Sequence, residues 1–252
     1  MSPPRIEPLN GIELYYDIQG EGEPLLWLHG FGGAGSNWGL IFKEVPAGFR
    51  LILPDLRGHG RSTNPSGEFT FRQAALDVLA LLDRLGLDRV KAIGLSGGAE
   101  TLLHMATGQP ERIDAMALVS ATPRFPEEAR RIMRQMTVES HSEDEWKMMR
   151  QWHHHGDEQI RALWAIAHNF KDSYEDVNFT REDLSRITAR TLIVHGDRDP
   201  LYPPRLALEM YEAIPRAYLW IVPNGNHGPI YGAMAPRFLE TASAFLRGEW
   251  GA

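Results

Sequence analysis

Short apolar runs alternate with longer periodic stretches through the first half of the chain. Residues 12–16, 25–28 and 50–54 are runs of strand length bounded by glycine, proline or charged residues. The turn-rich link Gly-Glu-Gly-Glu-Pro at 20–24 predicts an antiparallel entry to the sheet. Residues 71–85 carry Ala74, Ala75, Val78, Leu81, Leu82 and Leu85 at helical spacing and stop at Gly86. A buried strand is predicted at 90–95, a helix over 99–107 ahead of Pro110, and a further strand at 116–119. Strands alternating with helices in this way predict an α/β architecture with a mostly parallel sheet.

The pattern changes at Pro123. From 123 to 189 no strong strand signal appears, and charged residues alternate with Met133, Met136, Trp146, Met148, Met149, Trp152, Leu163, Trp164, Ile166 and Phe170. This predicts an inserted helical module, with 1–122 and 190–252 forming the core. Strand character resumes at 191–195 and 218–222, and an amphipathic helix follows at 236–246.

Composition narrows the function classes. The 252 residues carry a formal charge of −7, with Lys and Arg scattered along the chain, which argues against nucleic acid or an anionic membrane as the main partner. There is no cysteine, so disulfides, thiolate catalysis and Cys-based metal sites are excluded. Any chemistry falls to Ser, Asp, Glu and His. The first eight residues hold no apolar leader and nowhere are there ~18 uninterrupted apolar residues, so a cytoplasmic location is expected.

One serine stands out. Ser96 lies between Gly94 and Gly98 where a predicted strand meets a predicted helix, the Gly-x-Ser-x-Gly spacing of a sharp strand-to-helix turn that lifts a nucleophile. A serine hydroxyl is a weak nucleophile at neutral pH and needs a base, which in turn needs an acid to orient it. The run Gly196-Asp197-Arg198-Asp199 follows one late strand and His227 follows the next. The candidates therefore fall in the order serine, aspartate, histidine, each at the end of a different strand.

With His29-Gly-Phe-Gly-Gly33 and Asp55-Leu-Arg-Gly-His-Gly-Arg-Ser62, these features give the chain a close resemblance to α/β-hydrolase-fold serine hydrolases of the capped esterase and lipase type. The resemblance implies an eight-stranded, mostly parallel sheet flanked by helices, with 123–189 as a helical cap. It implies Ser96 as nucleophile, His227 as base and Asp199 as acid, with Asp197 as the alternative acid. It places the oxyanion hole at the amides of Phe31 and Gly97, with the Phe31 side chain at the substrate entrance and Trp152, Trp164 and Met133 as cap residues facing the pocket. The expected substrate is a small or medium, largely apolar ester, turned over without metal or organic cofactor by a monomer or homodimer. A lactonase, a carbon–carbon bond hydrolase and a non-catalytic small-ligand receptor use the same fold. Gly97 departs from the bulkier residue common there, opening space for a larger acyl group or fitting local packing. No acidic residue follows His227 within the next few positions, which leaves its support open. His153, His154 and His155 read as a solvated surface run, and His29, His59 and Asp55 as loop organisers.

Overall fold

The computed structural model describes residues 5–42 and 44–250; residues 1–4, on which the reading of the N-terminus partly rests, lie outside it. Eight strands form one sheet: β1 (Arg5–Leu9), β2 (Ile12–Gly20), β3 (Glu23–Leu28), β4 (Phe49–Pro54), β5 (Val90–Leu95), β6 (Ile113–Val119), β7 (Arg190–Gly196) and β8 (Ala217–Val222). Their spatial order is β1-β2-β4-β3-β5-β6-β7-β8. From β4 to β8 all neighbours are parallel, while β1 and β2 are antiparallel additions at one edge. The 20–24 link does not join sheet neighbours, because β4 lies between β2 and β3. β2 pairs antiparallel with β4 through Tyr16 opposite Pro54 and Gly20 opposite Arg50. β1 carries no fully buried side chain, so its sequence has no apolar run to announce it.

Helices cover both faces. α1 (Phe71–Arg84), α2 (Gly97–Gly108) and α7 (Pro204–Ala213) pack on one side, and α8 (Ala235–Arg247) with residues 35–42 on the other. The sequence reading assigns no element to α7, although Leu206, Ala207, Met210 and Ala213 form its buried stripe. Every residue of β5 is buried, as a central strand covered on both faces requires.

Between β6 and β7 lie α3 (Glu127–Met133), α4 (Glu143–Trp152), α5 (Asp157–Asn169) and the short α6 (Arg181–Ser185). Local chemistry sets their starts: Ser142 and Glu145 form a capping box for α4, and Thr180 and Asp183 do so for α6. Phe170, just beyond α5, packs with Phe31, Phe69, Phe71 and Phe125, tying the helical segment to the loop after β3. Among the described residues no helix is long and apolar enough to cross a membrane.

Candidate active site

The chain turns at the end of β5 with Ser96 at φ 48° and ψ −118°, a conformation rarely adopted by a residue with a side chain. The surroundings hold it there. Ser96 N–H donates to the Val119 carbonyl at 2.8 Å, and its own carbonyl accepts the first amides of α2 from Ala99 and Glu100. A Cβ at Gly94 would stand 2.5 Å from the Gly98 carbonyl, and one at Gly98 would run into the Leu28 backbone. The two glycines let strand, turn and helix close on each other.

Ser96 Oγ lies 2.9 Å from His227 Nε2, and His227 Nδ1 lies 2.8 Å from Asp199 Oδ2. A carboxylate can only accept, so Nδ1 carries the proton and Nε2 is left as the acceptor for the serine hydroxyl. The Asp199 side chain is 0 % exposed. Burial alone would raise its pKa. The hydrogen bond and charge of His227, with the Leu201 and Tyr202 amides on Oδ1, outweigh that and hold the carboxyl below its ordinary value. Asp197 is not in this line; its nearest cation is Arg198, at 4.0 Å. In place of a following acidic residue, His227 is supported by the Tyr202 ring, packed T-shaped with ring centroids 5.0 Å apart, and by a tight turn in which Gly228 N–H donates to Asn226 Oδ1.

Phe31 and Gly97 meet beside Ser96. Neither amide donates to another group among the described residues. A Cβ at Gly97 would stand 2.9 Å from both the Phe31 nitrogen and the Phe71 ring. Of the two readings of Gly97, local packing therefore holds, and its missing side chain is what lets the Phe31 amide approach. The loop itself is a turn closed by Gly33 N–H on the Gly30 carbonyl, with Gly32 at φ 78°. His29 donates from Nδ1 to Gly30 O at 2.8 Å and accepts the Leu56 amide at Nε2, while His59 Nε2 accepts the Gly32 amide at 3.0 Å. Burial lowers the His29 pKa to about 4 and takes His59 well below its ordinary value, so both rings are neutral. Asp55 accepts the Gly35 and Arg61 amides, and burial raises its pKa to about 6.

A cavity of about 310 Å³ opens over this loop. Its floor is His29 to Gly33, Leu95 and Tyr231, and its walls are Met136, Met148, Met149, Trp152, Leu163 and Trp164 from the helical segment. Trp152 and Trp164 thus face the cavity, and so does the Phe31 ring. Met133 does not. It is buried at 6 % exposure in the main core with Phe125 and Phe170, and Met136, one turn further on, lines the cavity instead. Helical spacing places the methionines on a face but not against a particular neighbour. The polar exceptions on the walls are His141, stacked on Trp164 at 3.9 Å, and Glu145, 3.4 Å from its Nδ1.

Three further residues near the site had no sequence signal beyond their residue type. Glu100 is fully buried, with one carboxyl oxygen accepting the Thr122 amide and the other unpartnered; burial raises its pKa well above the usual range and it is neutral. Tyr202 is buried beside His227, and burial raises its pKa too. His153 corrects the reading of its run as a solvated surface: it is 3 % exposed and bonded to two backbone groups of the core. Its neighbours His154 and His155 do lie in exposed positions.

A family model for the alpha/beta hydrolase fold matches residues 23–232. The human serine hydrolase BPHL is 29 % identical over 95 % of this chain and 84 % of its own length. Among solved structures, a thermophilic esterase from Thermogutta terrifontis superposes with a TM-score of 0.78 at 23 % identity, covering 98 % of this chain and 99 % of its own. A meta-cleavage product hydrolase from Pseudomonas fluorescens gives 0.74 at 20 % identity, over 97 % and 95 %. At these identities the two structures speak to the fold alone.

Proposed function

Because this chain belongs to the alpha/beta hydrolase fold family and is a hydrolase of that fold, we propose that it is a serine carboxylic ester hydrolase acting on small to medium, largely apolar esters. The observation that carries this reading is the hydrogen-bonded line from Asp199 through His227 to Ser96, ending beside two unengaged amides. In the proposed cycle Ser96 attacks the ester carbonyl while His227 Nε2 takes its proton, and Asp199 stabilises the imidazolium. The Phe31 and Gly97 amides receive the developing oxyanion. His227 then gives the proton to the departing alkoxide, and a water activated by the same nitrogen releases the acid.

Residues 123–189 serve in this reading as a cap. Its Met and Trp walls suit apolar groups that vary in shape, since Met side chains adapt and Trp supplies flat area. The test is hydrolysis of p-nitrophenyl esters of graded acyl length by wild type and Ser96→Ala. Wild type is expected to turn over repeatedly and to be labelled at Ser96 by a fluorophosphonate. Ser96→Ala should lose at least about three orders of magnitude in kcat with unchanged circular dichroism. Turnover retained in Ser96→Ala removes the assignment, and stoichiometric binding without turnover in wild type points to a receptor.

A further inference from the structure

The connection between α4 and α5 lies along the 58–61 loop of the core. His154 N–H donates to the Gly60 carbonyl at 3.0 Å, and Gln159 Nε2 donates to the Gly58 and Gly60 carbonyls at 2.9 and 3.1 Å. His153 goes further. Its Nδ1 accepts the Gly60 amide at 2.9 Å, and its Nε2–H donates to the Gly32 carbonyl at 3.1 Å. A backbone amide can only donate to the first nitrogen and a carbonyl can only accept from the second, so both bonds require one neutral tautomer.

Gly32 is thereby held on both sides. Its N–H donates to His59 Nε2, from the core, and its carbonyl accepts from His153, from the helical segment. Gly32 directly follows Phe31 in a four-residue turn and, as a glycine at positive φ, has wide freedom to rotate if released. The Gly30 carbonyl, in the same peptide unit as the Phe31 amide, depends on that turn staying closed. Resting on the serine hydrolase reading, we propose that His153 is a positioning residue that locks the loop after β3 to the helical segment, so that the Phe31 amide faces the reacting carbonyl only while the segment is docked.

The experiment compares wild type with His153→Ala, His153→Asn and His153→Gln. The Asn side chain reaches the place of Nδ1 and keeps only the Gly60 bond, whereas the Gln amide reaches the place of Nε2 and can donate to Gly32. Kinetics on p-nitrophenyl butyrate should show kcat lowered about tenfold in the Ala and Asn variants, with Gln within about threefold of wild type and KM little changed throughout. Amide hydrogen exchange at residues 30–33 should be faster in Ala and Asn and near wild type in Gln. A role confined to stability would lower the melting temperature without this kcat ranking. Unchanged exchange in both Ala and Asn, unchanged kcat in an active enzyme, or a loss confined to KM overturns the proposal. If wild type itself hydrolyses no ester, the functional reading fails, and the exchange measurement still decides whether His153 holds the loop.

Discussion

At the scale of single residues, Gly97 shows most clearly how a position changes meaning once its neighbours are known. In the sequence it reads either as open space beside the nucleophile or as a packing choice, and the structure shows packing, with the Phe31 backbone and the Phe71 ring where a side chain would go. Gly97→Ala should therefore push the two candidate oxyanion amides apart instead of restricting acyl length. The expected result is a loss of about 1–3 kcal/mol of stability from overpacking, read by urea denaturation. It comes with a kcat loss of about tenfold that is similar for acetyl and longer esters. A loss that grows with acyl length would mean that the glycine does border the acyl site. Asp199 and Asp197 make the same point, since two carboxylates two positions apart in one loop differ only in which one the fold aims at His227.

At the scale of elements, the helical segment is joined to the core by polar contacts as well as apolar ones. Asp176, which precedes α6, accepts the first two amides of α1, from Phe71 at 2.6 Å and Arg72 at 3.2 Å. The carboxylate sits where a helix N-terminus presents unpaired N–H groups and positive potential. Thr70 caps the same end through Gln73. Asp176→Ala leaves two amides without partners and should lower stability by about 2 kcal/mol in denaturant titrations. A change below about 0.5 kcal/mol would show that water replaces the carboxylate without penalty. The start of α1 is legible from Thr70, but its second cap, more than 100 residues away in sequence, is not.

At the scale of the whole molecule, buried titratable groups of opposite sense set how stability depends on pH. Three neutral histidines, His29 at about 4, His59 well below its ordinary value and His153 at about 4, would each bind a proton near pH 6.5 once unfolded. Burial is the first cause in all three. Their contribution is complete above about pH 6.5 and is lost as pH falls through the folded values near 4. Asp55, raised to about 6, and Glu100, raised well above its ordinary value, act oppositely, favouring the folded state where they keep a proton that the unfolded chain has released. Burial lowers His195 in the same sense, so between about pH 4.5 and 6.5 the buried histidines outweigh the two carboxyls and melting temperature should fall with acidification. His153→Gln should flatten that limb in thermal melts across pH, whereas an identical slope would show that His153 is not held neutral. By itself the sequence determined what depends on neighbours along the chain: the apolar runs of β2 to β8, the elbow glycines around Ser96, and the order serine, aspartate, histidine. Strand and helix period and turn chemistry act over a few residues, so these are readable without coordinates. Only the tertiary structure decided β4's place between β2 and β3, Met136 and not Met133 at the cavity, and the burial of His153 against Gly32. Those outcomes depend on which surfaces meet when segments as much as 121 residues apart pack together, and no local pattern encodes that choice.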